Sequence, residues 1–198
     1  MEKIEIRIAS IEDAEAILDI YAYYVKHTAI TFEYEVPSLK EFKQRIQNTL
    51  NRYPYLIAII NHKIVGYAYV SPFKERAAYD WAVETSIYVD CNYKKQGIGK
   101  KLYHALELIL KEQGILNLNA CIAYPIQEDN YLDKNSVQYH QHLGYQFVGE
   151  FHQCGYKFNT WYNMVWMEKM IGEHIDKQPT IKPFNEVRKI IKTKYQII

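Results

Sequence analysis

The chain lacks cysteines in pairs. Cys91, Cys121 and Cys154 are odd in number and widely spaced over 198 residues. That excludes a disulfide framework and a zinc site built on Cys/His pairs, leaves reduced thiols, and makes Cys91 a filler rather than a nucleophile. An excess of charge is also missing. Lys+Arg of 24 against Asp+Glu of 23 leaves a formal +1, without the basic balance of a nucleic-acid partner. No apolar run is long enough to span a bilayer and no leader-like segment is present, so the reading predicts a soluble, cytoplasmic protein without a membrane partner. There is no internal repeat. There is no G-x-x-x-x-G-K-[ST] loop, and Tyr103 and His104 stand where the third glycine of a dinucleotide fingerprint would be sought.

Tyrosine is abundant, at 19 residues, and is expected mostly to pack along strands. Ile4, Ile6 and Ile8 alternate as a first strand. Ser10-x-x-Asp13 reads as a capping box before a helical face of Ala14, Ile17, Leu18, Tyr21 and Val25. Ser38-x-x-Glu41 opens a second helix carrying Phe42, Ile46 and Leu50. Strands are predicted at 55–60 and 64–70 around the turn Asn61-His62-Lys63, then at 81–89, 116–123, 146–150 and 162–168. The length fits one domain with a substantial core. The element order predicts an α/β (mixed α+β) fold with helices on both faces of a mixed sheet.

The densest chemistry lies between residues 81 and 114. Glu84 sits in an apolar strand, Trp81-Ala-Val-Glu-Thr-Ser-Ile-Tyr-Val89, where lost solvation raises a carboxylate pKa toward that of a useful base. The same spacing also suits an outward-facing strand residue or one paired with a buried arginine. Lys94-Lys95-Gln96-Gly97-Ile98-Gly99 follows. Apolar residues at Ile98, Leu102, Leu106, Ile109 and Leu110 start a helix there, and Gly114 stops it. A helix mouth of unpaired N–H groups, approached through glycines and flanked by Lys94, Lys95, Lys100 and Lys101, suits a diphosphate. A plain strand-to-helix turn would look the same.

Taken together, these segments resemble the GNAT superfamily of N-acetyltransferases, whose coenzyme A motif is Q/R-x-x-G-x-G/A after a strand; Lys94 stands in the usual Gln/Arg place. More specifically the chain resembles phosphinothricin acetyltransferases. The resemblance rests on Thr31-Phe32, Arg52-Tyr53-Pro54, Gly66-Tyr-Ala-Tyr69, Lys74 to Trp81, Glu84 to Val89, Ser136-Val137, His140, Leu143-Gly144-Tyr145 and Gly155-Tyr-Lys157 with Trp161, in that family's order. It implies a GNAT domain over residues 1–170, with a mixed, mostly antiparallel sheet splayed at the cofactor site; residues 171–198 are left as a part-helical extension. Acetyl-CoA is the implied cosubstrate, with no metal. Ile87, Tyr88 and Val89 would hold the pantetheine arm, Lys94, Lys95, Gln96, Gly97, Ile98, Gly99 and Lys100 the pyrophosphate, and Asn135 would approach coenzyme A. Glu84 would be the general base. His140 would bond the sulfur, shuttle a proton or touch the substrate, with Tyr139 and Tyr145 as rivals and a carbonyl-satisfied helix histidine as the plain alternative; His142 faces solvent. Phe32, Lys74, Arg76 and Tyr79 would contact a small amine bearing an anionic group.

The sequence departs from that pattern twice. Residues 124–134 form a longer loop with an acidic cluster, Glu128, Asp129 and Asp133, beside the expected active-site mouth. Beyond Pro183, Phe184, Val187, Ile190 and Ile191 predict a short basic amphipathic helix that could dock on its own domain, on a second subunit or on nothing, with docking in a homodimer the preferred reading. Two other function classes fit the same motifs: a non-catalytic acyl-CoA sensor, and an acetyltransferase of protein N-termini or lysines.

Overall fold

The computed structural model describes residues 3–197. Its strands are β1 (Glu5–Ile8), β2 (Tyr55–Ile60), β3 (Lys63–Pro72), β4 (Ala82–Val89), β5 (Asn117–Tyr124), β6 (Gln146–Lys157) and β7 (Thr160–Met170). Its helices are α1 (Ala14–His27), α2 (Leu39–Leu50), α3 (Ile98–Gln113), α4 (Asn135–His142) and α5 (Phe184–Tyr195). The strands form one sheet in the order β1-β2-β3-β4-β5-β7-β6. Every neighbouring pair is antiparallel except β4 with β5. Among the described residues, no helix is long and apolar enough to cross a membrane.

Alternation along the strands feeds two cores. Val65, Ala68, Val70 and Val83 join α3, α4 and α5 on one face. Tyr55, Ile57 and Tyr67 join α1 and α2 on the other. On this second face the tyrosines stack across strands. Ring centroids lie 4.8 Å apart for Tyr55–Tyr69 and 5.3 Å for Tyr67–Tyr88, and Tyr21 and Tyr24 of α1 meet Tyr88 edge-on at 5.1 Å each. Each such pair contributes roughly 0.5–1.5 kcal/mol beyond its buried area. The far end of α1 is tied down by Lys157, whose buried ammonium donates to the carbonyls of Val25, Thr28 and Thr31 at 2.8–2.9 Å. A cation there satisfies terminal carbonyls and complements the helix dipole.

The tail does not offer its apolar face to a second subunit. Phe184, Val187 and Ile191 are completely buried in the core that α3 shares with the sheet. The Tyr195 hydroxyl and the Lys194 ammonium both reach Glu112 at 2.7 Å, and the Gln113 amide donates to the carbonyls of Arg52 and Lys182. The apolar period identified the sticky face; it carries no information about what covers it.

The long loop before α4 is likewise anchored. Asp129 accepts from the N–H groups of Tyr131 and Leu132, at 2.7 and 2.8 Å, and from the Tyr162 hydroxyl at 2.7 Å. Glu128 accepts from the Lys134 N–H, and Asp133 from that of Asn135. Its acidic cluster therefore folds the loop. Leu132 is buried with Ala29, Ala123 and Tyr162.

Candidate active site

β4 and β5 pair only through Ala82↔Asn117, Val83↔Leu118 and Glu84↔Asn119. Beyond Glu84 both strands run on, β4 to Val89 and β5 to Tyr124, each still paired on its other side. The sheet therefore forks, and the facing edges of the two strands lose their partners. A cavity of about 70 Å³ occupies the fork, lined by Thr85 to Tyr88, Ala120 to Ala123, Tyr103 and His140. Unpaired strand edges are rows of donors and acceptors that an extended, amide-bearing ligand can complete.

Glu84 is the last paired residue of β4, at the crotch of the fork. Alternation separates it from Thr85, whose hydroxyl lies with Tyr103 and Tyr145 on the α3–α4 side, and groups it with Tyr88 on the α1 side. Its carboxylate is half-buried and, among the described residues, pairs with no arginine. Burial raises its pKa; the positive charge of Lys74 pulls the other way and loses. Cys121 lines the same cavity. Desolvation, reinforced by the Glu84 charge, pushes its thiol up to about 12, so it stands there protonated.

His140 enters the fork from the opposite face. It is 4% exposed. Nδ1 lies 2.7 Å from the Ser136 carbonyl oxygen and Nε2 lies 3.1 Å from the Tyr103 hydroxyl. Burial lowers its pKa, outweighing the Ser136 contact. A histidine with a depressed folded-state pKa contributes stability that is present above its unfolded value, near 6.5, and lost as pH falls through the folded value. Thermal melts at pH 7 and pH 5 are therefore expected to show a larger acid loss for the wild type than for His140→Gln. His142 is exposed.

The glycine turn has the shape its sequence implied. Lys95 and Gly97 both take left-handed conformations, with φ of +62° and +79°, and α3 starts at Ile98. Lys94, Lys95, Gln96 and Lys100 are exposed around the mouth. The two glycines do different work. Gly97 provides the left-handed φ, and among the described residues nothing stands within 4 Å of where its Cβ would be. At Gly99 a Cβ would lie 2.5 Å from the Tyr139 hydroxyl. That hydroxyl is enclosed without a hydrogen-bond partner among the described residues. An open helix mouth, a turn free of Cβ obstruction and an orphaned hydroxyl beside it fit an anionic diphosphate. Asn135 is at the first turn of α4, exposed, with its amide on the Asp133 carboxylate at 3.2 Å.

The four residues assigned to the amine do not assemble in one place. Phe32 packs on Tyr162 at 6.3 Å between ring centroids and occupies the space left by Gly155, where a Cβ would meet its ring at 2.3 Å. This group lies at Ala123, toward the far end of β5. Lys74 and Tyr79 instead line a cavity of about 760 Å³ with Asn117, Asn119 and Trp166, at the near end of that strand. Asn117 and Ala123 are separated by about 20 Å of extended chain. The Lys74 ammonium sits over the rings of Phe73 and Trp166, at 4.9 and 5.7 Å. Arg76 is exposed in the connecting loop.

A family profile described as an acetyltransferase (GNAT) domain matches residues 6–166. The chain belongs to the GNAT acetyltransferase family. As a GNAT enzyme it is an acetyl-CoA-dependent N-acetyltransferase, which sets aside the non-catalytic sensor. It is 32% identical to the phosphinothricin N-acetyltransferase of Streptomyces viridochromogenes over 81% of this chain and 84% of that one. It is 28% identical to an L-methionine sulfoximine/L-methionine sulfone acetyltransferase of Salmonella typhimurium, over 85% and 95% of the two chains. The crystal structure of a GNAT phosphinothricin acetyltransferase from Sinorhizobium meliloti with acetyl-CoA matches at a TM-score of 0.81 and 30% identity, covering 89% of this chain and 93% of that one. The mixed, mostly antiparallel sheet is that of the GNAT fold.

Residues given no role in the sequence reading complete the fork. Tyr103, named from the sequence only as standing where a third glycine would be sought, faces His140. Thr85 and Asn119 bond across the last paired rung, at 3.1 Å from the Thr85 hydroxyl to the Asn119 carbonyl. Only register could have revealed them, and register is a tertiary property.

Proposed function

We propose that the protein transfers the acetyl group of acetyl-CoA directly to the amine of a small amino-acid-like substrate, with Glu84 as general base. The observation that carries this is the half-buried, unpaired Glu84 carboxylate at the crotch of a forked sheet, with a glycine turn for a diphosphate at the other end of the same strand. Acetyl-CoA fits with its diphosphate on Lys94 to Lys100 and its pantetheine arm along Ile87 to Val89.

On this reading the main-chain groups of β4 beyond Glu84 orient the thioester, and much of the rate comes from that positioning. Glu84 takes a proton from the ammonium form of the acceptor, directly or through water, so that the nitrogen lone pair attacks the carbonyl carbon. One C–N bond forms, the C–S bond breaks, and the thiolate leaves toward the face that carries Tyr103 and His140, taking up the second proton that the acylated nitrogen gives up. Lys74, close enough to bias Glu84, is the cation placed to receive an acidic group on the acceptor; Phe32 lines the approach from the other end. Asn135 meets the cofactor only if its amide leaves Asp133.

A thiol-release assay with acetyl-CoA and a panel of amines tests the reading. The expected result is release with amino-acid-like acceptors such as phosphinothricin, methionine sulfoximine or ordinary amino acids. Release only with peptides bearing a free N-terminus or lysine would assign the enzyme to protein acetylation instead.

A further inference from the structure

We propose that Tyr103 is a positioning residue of the reaction: its hydroxyl hydrogen alternates between His140 Nε2 and Thr85 Oγ1, and so decides whether Nε2 is free to exchange a proton in the fork. This rests on reading the fork as the thioester site, but the hydrogen-bond logic holds for the resting protein.

The assignment follows from counting protons. The Ser136 carbonyl can only accept, so at 2.7 Å it fixes the hydrogen of a neutral His140 on Nδ1. Nε2 is then an acceptor, and its neighbour at 3.1 Å is the Tyr103 hydroxyl. Thr85 has one hydroxyl hydrogen, and the Asn119 carbonyl at 3.1 Å can only accept it. Thr85 Oγ1 therefore accepts in turn, from Tyr103 at 3.4 Å or from Tyr145 at 3.3 Å. The Tyr103 hydrogen finds an acceptor in either setting, but only the first gives Nε2 of a neutral His140 its donor. When it points at His140, Tyr145 serves Thr85; when it points at Thr85, Nε2 is released.

Only the hydrogen needs to move. Tyr103 is 2% exposed, and its ring is held between those of Tyr139 and Tyr145, with centroids at 6.1 and 6.2 Å. The phenol itself stays protonated, because burial raises its pKa well above the usual tyrosine value. The titratable groups around His140 are Tyr103 from α3, Tyr139 from its own helix and Tyr145 from the turn beyond, at 5.6, 5.5 and 5.0 Å between centroids, with Tyr88 of β4 and Cys121 of β5 in the lining of the same cavity. Behind Tyr145 stands the Lys169–Glu107 ion pair, at 2.5 Å. Among the described residues no carboxylate bonds the imidazole, so the Tyr103 hydroxyl is the local switch.

Nitrogen-15 NMR of the imidazole, with a pH titration of the resting enzyme, tests this. The wild type is expected to show a protonated Nδ1 and a bare, hydrogen-bonded Nε2. With its hydrogen on Thr85 the Tyr103 oxygen accepts from a protonated Nε2, and that charge-assisted bond is the stronger of the two, so Tyr103→Phe should lower the His140 pKa, by about half a pH unit or more. In kinetics the same variant should move the acidic limb of the kcat profile with the KM for acetyl-CoA unchanged. Thr85→Val removes the second acceptor and should hold Tyr103 on Nε2, shifting the His140 pKa down or leaving it in place. An Nε2–H tautomer in the wild type, or a His140 pKa unmoved or raised by Tyr103→Phe, overturns the proposal. Should Tyr103→Phe not fold, an upward shift in Thr85→Val overturns it equally. Failure of thiol release in the wild type would count against the acetyl-transfer reading and leave the tautomer result standing.

Discussion

Glu84→Gln is expected to lower kcat near pH 7.5 by about 10²–10⁴-fold, the usual contribution of a general base, with the dissociation constant for acetyl-CoA within about twofold of wild type. The amide keeps the shape and the strand pairing but cannot take a proton from the acceptor. In the wild type kcat/KM should climb as pH rises through the Glu84 pKa, which burial holds above the ordinary glutamate value. That climb should vanish in the variant. The same shift predicts a stability change of opposite sense. A carboxyl whose folded pKa is raised contributes most below its unfolded value, and that contribution is lost as pH rises through the folded value. At pH 7 the buried charge is a burden that glutamine lacks, so the variant should melt at a higher temperature than wild type while turning over more slowly. Steady-state kinetics across pH 5–9 and calorimetric melts check both halves. Unchanged turnover, or a pH profile identical to wild type, would remove Glu84 from the chemistry.

Phe184→Ala is expected to destabilise the protein by about 3–5 kcal/mol, the cost of emptying a large aromatic site in a packed core. Phe184 is fully buried and belongs to the cluster that includes Leu106, Ile109 and Leu110 of α3. Because α3 also presents the glycine turn, a loosened tail should weaken coenzyme A binding indirectly. Urea unfolding measures the first effect and calorimetry with coenzyme A the second. A loss under about 1 kcal/mol would mean that the tail rests on the domain without supporting it. The GNAT profile ends at residue 166, so this contribution lies outside the matched segment.

Much of the fold was legible because its elements carry strong local signals. The 3.6-residue apolar period of α3 ended at Gly114, which is left-handed as a C-cap, with φ of +88°. Ser38 caps α2 by accepting from the Glu41 N–H. The β6–β7 hairpin was less legible. Strands were expected at 146–150 and 162–168, whereas they run to Lys157 and start at Thr160. The turn between them is Phe158-Asn159, both left-handed, with φ of +50° and +59°. Such a two-residue turn is usually signalled by Asn-Gly or Asp-Gly, and a phenylalanine in it gives no warning. Register irregularities at Phe147/Gly149 and Phe151/Gly155 break the alternation as well.

The site divides along the same line. Glu84, His140 and the glycine turn announced themselves as residue types in order along the chain. Tyr103 and the fork itself depend on where β4 and β5 stop pairing. Phe32 and Tyr79, grouped in sequence reasoning by resemblance, belong to different ends of β5. Substrate recognition is a statement about distances between elements, and neither periodicity nor spacing within one element encodes it.

The central claim is that the fork between β4 and β5 holds the acetyl donor with its reactive end toward Glu84. A crystal structure of the protein with coenzyme A tests it most directly. The account predicts the diphosphate on the amides of residues 97–101, the pantetheine arm paired with the free edge of β4 beyond Glu84, and the sulfur on the Tyr103–His140 side of the crotch. Coenzyme A bound anywhere else, or seated on the glycine turn with its sulfur directed out of the fork, would contradict it.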